Sequence, residues 1–495
     1  MPPDAPSTSI IEGAGASGAE RGAAAAVADE LLVALDPHGR EPLRHQLAAE
    51  LRGAIRAGRL RAGVRLPASR ALARQLGVSR GVVTDAYEQL TAEGFLTSRQ
   101  GAGTTVSEDA ARTPTSPARP PSQPAPSAAR VRFDFVPTTP DVSLFPRSLW
   151  AKAVARAAAG APDAALDYGD GYGMLSLREA LAGHLGRVRG TATQPEHIVV
   201  CAGYSQAIAL LFARLAAQGA RRIAFEDPSL RDHWEAAARA GLEAVPVGLD
   251  GDGLRADALA ATDADAVVIT PSHQFPTGAV MGAERRHELL AWARAGAKLI
   301  VEDDYDAEFR YDRRPLAALQ GLDPARVAYV GTASKTLAPG LRLGWILAPP
   351  ALALPLADAK RATDSGSPAL DQLALADLLA SGAHERHLRT VRRAYAERRA
   401  LLVEALGRAV PGSAIEGAAA GVHLVLALPE PLAAERLAAA TAAHGIRATS
   451  VESYAQDPPP DVRRLVLGYG RVPTPSVVPA VAALAAALRA ARTGR

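Results

Sequence analysis

Apolar positions along this chain follow two different rhythms. Up to about residue 107 they recur at helical spacing. Leu43, Leu47, Leu51 and Ile55 predict a helix closed by Gly58. Ala68 to Leu76 predicts a second helix, with Ser69 as N-cap and Gly77 after its last residue. Val78 and Ser79 open a third, Arg80 to Leu90, with Val82, Val83, Ala86 and Leu90 inward and Arg80, Thr84 and Glu88 outward. Gly94 to Val106 then reads as two short strands around a glycine turn. From Phe133 the rhythm changes. Mainly apolar strand candidates at 197–201, 222–225, 266–270, 298–302 and 327–330 alternate with alanine-rich amphipathic stretches such as 284–295. That alternation predicts a mostly parallel sheet with helices on both faces. Ligands in such sheets sit beyond the C-terminal strand ends.

Two stretches carry neither rhythm. Residues 1–30 are rich in Ala, Gly, Ser and Pro and are expected to be disordered. Residues 108–130 are mostly Pro, Ala, Ser and Thr and are expected to be an exposed linker. This leaves a small module at 31–107 and a large one at 131–495. The formal net charge is only +3, but Arg40 to Arg99 holds eleven arginines against five acids, leaving the rest of the chain slightly acidic. A basic small module predicts double-stranded DNA as its partner. A single cysteine, Cys201, fits a reducing cytoplasm. No uninterrupted apolar run looks long enough to span a membrane, and no basic segment leads into an apolar one at the N-terminus, so no membrane association is expected.

Candidate chemistry lies at the predicted strand ends. Only four lysines occur, at 152, 298, 335 and 360; every other basic side chain is arginine, which cannot condense with an aldehyde. Lys335 follows the apolar run Val327–Val330, is flanked by small and hydroxyl residues, and has Arg342 seven positions on. Gly203-Tyr204-Ser205 turns a strand into a helix, an arrangement suited to an anion. Glu302-Asp303-Asp304-Tyr305-Asp306 gathers carboxylates at one strand end, which is costly unless they meet a cation. No histidine or cysteine lies beside them in sequence, so a metal is not expected. The alternative is a carboxylate facing a protonated ring, with a tyrosine hydroxyl nearby.

The motifs Leu-Pro-x-Ser-Arg-x-Leu-Ala (66–73) and Val-Ser-Arg-x-x-Val (78–83) resemble the winged helix-turn-helix of the GntR regulators. Tyr168-Gly169-Asp170, Thr270 to Gly278, Glu302 to Tyr311 and Ser334-Lys335 resemble fold-type I pyridoxal-phosphate enzymes of the aminotransferase kind. The whole chain resembles the MocR subgroup, in which these two parts are fused. The resemblance implies an α/β fold: a winged helix-turn-helix, then an aminotransferase-like domain with a smaller C-terminal α+β subdomain. It implies pyridoxal 5′-phosphate held covalently by Lys335, Asp303 on the ring nitrogen and Tyr305 on the phenolic oxygen. Tyr204, Ser205, Ser334 or Thr332, and Arg342 would hold the phosphate, with His273 and Gln274 near the ring. Arg70, Ser79, Arg80 and Thr84 match DNA-contacting positions, and Gly101 and Gly103 the wing. A homodimer is implied as well. The pattern is broken where Phe275 replaces a common asparagine, and where Leu230 replaces an aromatic residue that stacks on the cofactor. It is broken again where Val466 replaces the arginine that clamps a substrate carboxylate, leaving Arg464 and Arg231 as substitutes. The expected function is therefore a DNA-binding regulator with pyridoxal 5′-phosphate, or its adduct with an amine or amino acid, as effector. An active aminotransferase carrying a DNA-binding domain is the alternative.

Overall fold

The computed structural model describes residues 35–37, 39, 41–99, 103–109, 131–311 and 316–493. The expected disordered N-terminus, residues 110–130 of the expected linker, and Gly101 lie outside these. The chain divides into two compact units between Ser127 and Ala128.

The first unit packs helices α1 (Leu43–Arg56), α2 (Ser69–Leu76) and α3 (Arg80–Ala92) against a hairpin, β1 (Leu96–Arg99) and β2 (Gly103–Val106). Leu47, Leu51, Val83, Ala86 and Leu90 are fully buried, as the helical spacing requires. Ala68 rather than Ser69 is the N-cap of α2, which places Ser69 in the first turn. There its hydroxyl lies 3.4 Å from Arg80 Nε. Ser79 does occupy the N-cap of α3, but its side chain makes no capping bond. Gly77 ends α2 with φ 66°, a left-handed conformation that glycine adopts at least cost.

The second unit is built on an eight-stranded sheet. Its strands are β3 (Ile198–Cys201), β4 (Arg222–Asp227), β5 (Glu243–Asp250), β6 (Gly253–Leu254), β7 (Ala266–Ile269), β8 (Leu299–Asp304), β9 (Val327–Thr332) and β10 (Gly344–Leu347). Their order is β3-β10-β9-β8-β7-β4-β5-β6. The pairs among β9, β8, β7, β4 and β5 are parallel; β10 runs antiparallel to both its neighbours. Strands β3, β7, β8, β9 and β10 are buried at every position, which is why β3, β7, β9 and the first half of β8 read as apolar runs. A smaller antiparallel sheet, β11 (Ala414–Glu416), β12 (His423–Ala433), β13 (Thr449–Ser450) and β14 (Asp461–Gly468), forms the C-terminal subdomain.

Within the 20 residues Thr474–Thr493 a window reaches a mean hydropathy of 1.4, long and apolar enough by composition to cross a membrane. Arg489 and Arg492 interrupt it. Its helix buries Val477, Val481, Leu484 and Leu488 in the core of the C-terminal subdomain, so the apolarity serves packing.

Candidate cofactor site

The C-terminal ends of β4, β7, β8 and β9 open onto one cavity of about 280 Å³, close to the lower end of small-molecule sites. Lys335 lies just beyond β9 and lines it, with Asp303, Tyr305, Tyr204, Ser205, Thr332, Ser334 and Arg342. Residues 130 positions apart are thus brought together by strand ends alone. Burial holds the Lys335 ammonium below the ordinary lysine range, while the Asp306 and Asp303 carboxylates pull the other way. The effect is a larger share of neutral amine, the form that attacks a carbonyl.

Alternation along β8 sorts its three acids onto two faces. Glu302 accepts the backbone N–H groups of Leu319 and Gln320, both at 2.9 Å. Asp304 pairs with the buried Arg189 at 2.7 Å. Asp303 faces the cavity instead, and its Oδ1 is buried without a hydrogen-bond partner. Burial pushes its carboxyl well above the ordinary range, against the hydrogen bond from Tyr204 and the charge of Lys335. His233 Nε2 lies 3.8 Å from Asp303 Oδ2 and 2.7 Å from Tyr204 Oη. An unpaired buried carboxylate costs several kcal/mol in order of magnitude, so this one calls for a cation from the cavity side.

At the other end of the anchoring region, helix α5 (Tyr204–Ala217) begins after Gly203, whose φ is 82°. (Leu175–Arg189 is α4.) Arg342 donates to the Ala202 carbonyl at 2.6 Å. A Cβ on Gly203 would lie 2.7 Å from the Arg342 guanidinium, so only glycine leaves room for that charge over the helix start. Thr332 Oγ1 is 2.9 Å from Ser334 Oγ and accepts the Ser334 N–H at 3.2 Å. A guanidinium, two hydroxyls and a helix N-terminus together form an anion cradle. The orphaned Asp303 oxygen, the glycine-cleared cradle and the desolvated lysine fit pyridoxal 5′-phosphate.

Other expected residues are elsewhere. The Tyr204 hydroxyl points to His233 and Asp303, not into the cradle. His273 and Gln274 do not line the cavity. His273 is fixed between Asp306 (3.0 Å) and Tyr305 (3.1 Å), and Gln274 donates to Glu226 at 3.1 Å. Arg231 donates to the Ala455 carbonyl at 3.3 Å, and Arg464 Nε lies 3.4 Å from Glu452 Oε1; neither reaches the cavity. Leu230 and Phe275 do line it. Sequence reasoning missed Glu226, Asp232 and His233. His233 sits within helix α6 (Arg231–Arg239), where nothing in sequence marks it as facing the cavity. It also missed that the fold gathers His273, Asp306 and His423, whose polar atoms lie within 4.8 Å of one another, from separate segments. In the first unit, Arg70, Ser79 and Arg80 are exposed, Thr84 is half-buried, and Gly103 begins β2.

Residues 43–106 match the family model of bacterial regulatory proteins of the gntR family, and residues 142–466 match that of class I and II aminotransferases. The pyridoxine biosynthesis transcriptional regulator PdxR of Corynebacterium glutamicum is 34% identical, over 89% of this chain and 95% of its own length. The probable rhizopine catabolism regulatory protein MocR of Rhizobium meliloti is also 34% identical, over 89% and 92%. The chain belongs to the MocR-type GntR regulators. Among solved structures, the multiple substrate aminotransferase of Thermococcus profundus superposes on this MocR-type chain with a TM-score of 0.67. It is 26% identical over 73% of this chain and 92% of its own. The large unit of a MocR-type regulator is thus an aminotransferase-like domain, and its small unit a winged helix-turn-helix that binds DNA.

Proposed function

We propose that this MocR-type regulator captures pyridoxal 5′-phosphate on Lys335 and reads that capture out as a change in operator binding, with little or no turnover of amino acids. One observation carries the reading: the residues for anchoring the cofactor converge on the cavity, whereas both arginines suited to a substrate carboxylate are engaged outside it. Pyridoxal 5′-phosphate, when bound, supplies an aldehyde that an amine can attack and a ring that withdraws electrons. Lys335 would supply the amine, Asp303 would hold a proton at the ring nitrogen, and Arg342 with Ser205, Thr332 and Ser334 would hold the phosphate. Transamination needs a second substrate held in register, and orientation is a large part of such catalysis. The cavity wall adds the acidic side chains of Glu226 and Asp232, neither of which can clamp an amino-acid carboxylate as an arginine does.

The relative PdxR, named for pyridoxine biosynthesis, supports genes of vitamin B6 metabolism as the target. We further propose a homodimer in the cytoplasm, joined through the concave surface where Leu166, Tyr168 and Leu175 are exposed beside residues 365–372. A two-fold dimer favours paired half-sites on DNA. The test mixes full-length protein with pyridoxal 5′-phosphate, fixes it with borohydride, maps the label, and assays transamination with a panel of amino acids and 2-oxo acids. The reading requires a label on Lys335 with negligible turnover. Steady turnover lost in Lys335→Ala would make the protein an enzyme instead.

A further inference from the structure

Behind Tyr305 lies a buried dyad that the cofactor reading leaves unused. His273, on the loop after β7, is 3% exposed, and Asp306, just past β8, is 2% exposed. Asp306 Oδ2 is 3.0 Å from His273 Nδ1, and Nδ1 is 3.1 Å from Tyr305 Oη. The Tyr305 hydroxyl in turn donates to the His273 carbonyl at 3.0 Å. A carboxylate oxygen can only accept, so Nδ1 carries the ring's hydrogen. That N–H is shared between Asp306 and the Tyr305 oxygen. The phenol oxygen thus already receives one hydrogen bond, and its own hydrogen, resting on the His273 carbonyl, is the donor it can turn toward the cavity.

We infer that His273 is a positioning residue that makes Tyr305 a hydrogen-bond donor toward the cavity. The inference rests on the cofactor reading above, in which Tyr305 meets the phenolic oxygen of pyridoxal 5′-phosphate. Swinging the hydroxyl hydrogen from the His273 carbonyl into the cavity keeps the Nδ1–H bond intact. A tyrosine lacking that N–H is free to accept as readily as to donate, and would favour the phenolic anion less.

The packing leaves the dyad little freedom. Gly421, at the entry to β12, has φ 68°, and a Cβ there would lie 2.3 Å from Asp306 Oδ2 and 2.4 Å from His273 Cε1. The Gly421 carbonyl accepts both the Tyr311 and the Tyr469 hydroxyls at 2.7 Å, which fixes the strand entry against the dyad. The His423 ring packs 4.8 Å from that of His273. The charged and titratable groups facing Tyr305 and the dyad are Asp303 and Asp306 from the β8 end, Glu226 from β4, His423 from β12 and Lys335 from the loop after β9.

The test follows the visible absorbance of full-length protein loaded with pyridoxal 5′-phosphate as pH is varied. Losing one hydrogen bond to the phenolic oxygen should raise the chromophore's transition by about one pH unit in Tyr305→Phe. His273→Gln, whose amide reaches the Nε2 position, should shift it in the same direction. His273→Asn, whose amide nitrogen takes the place of Nδ1, should restore most of the wild-type value. Combined with Tyr305→Phe, His273→Gln should add nothing further, because both remove the same interaction. The inference is overturned if His273→Gln titrates within about 0.2 pH unit of wild type while Tyr305→Phe shifts. It is overturned equally if Asn and Gln behave alike, or if the double variant is additive. A wild-type protein with no borohydride-fixable absorbance would overturn the cofactor reading itself, and this inference with it.

Discussion

The two ends of the cavity are built to different standards. At the anchoring end, a desolvated lysine, an unpaired buried carboxylate and a guanidinium over a glycine turn all point inward. At the end where an aminotransferase would grip its substrate, Val466 is a core residue at 0% exposure, Arg464 leans on Glu452, and Arg231 is spent on a backbone carbonyl. Among the described residues, the groups suited to a cofactor thus converge on the cavity, while Arg464 and Arg231 are engaged outside it. On the proposed reading, loss of a clamp would spare binding and cost turnover, because catalysis depends on interactions made in the transition state.

Substitutions at the two ends should therefore behave in opposite ways. Lys335→Ala should abolish covalent uptake entirely, measured as loss of the borohydride-fixed label; retention of the label on another of the four lysines would break the comparison. Arg342→Ala removes a charged bond to the phosphate, and we expect about 10- to 100-fold weaker binding by absorbance titration, about 1.5–3 kcal/mol.

Glu226 sharpens the comparison through pH. Burial raises its pKa from 4.5 to about 7, against hydrogen bonds from Thr270 and Gln274. A raised carboxyl stabilises the fold fully below pH 4.5, and that contribution is lost as pH rises through about 7. Glu226→Gln in the protein without added cofactor should remove this decline, a difference of about 3 kcal/mol at pH 8, read from unfolding curves across pH. The smallest effect belongs to the clamp end. Arg464→Ala should leave cofactor affinity within about twofold of wild type, since the half-exposed arginine pairs with Glu452 outside the cavity.

Much of this was legible in the sequence because it rests on local pattern. Apolar runs marked five central strands, lysine scarcity singled out Lys335, and the acidic strand end marked a carboxylate beside a tyrosine, which the family resemblance narrowed to Asp303 and Tyr305. Strand β5 was missed because it alternates exposed and buried positions and contains Pro246, which argues against a strand by composition. Strand β10 was missed because Gly344-Trp345 reads as the tail of the lysine loop. The side-chain directions of His273, Tyr204 and Arg464 depend on partners at Asp306, His233 and Glu452, and no periodicity encodes a partner. The apolar C-terminal helix shows the same limit, since composition alone cannot say what covers it.

The central claim, that capture at Lys335 is a signal, is tested most directly by DNA affinity. Operator fragments selected from random DNA by the full-length protein should be titrated with wild type and Lys335→Ala, each with and without saturating pyridoxal 5′-phosphate. The account predicts a change of about fivefold or more in wild-type affinity, the lower range of allosteric coupling, and none in Lys335→Ala. Identical isotherms for wild type with and without the cofactor would contradict it.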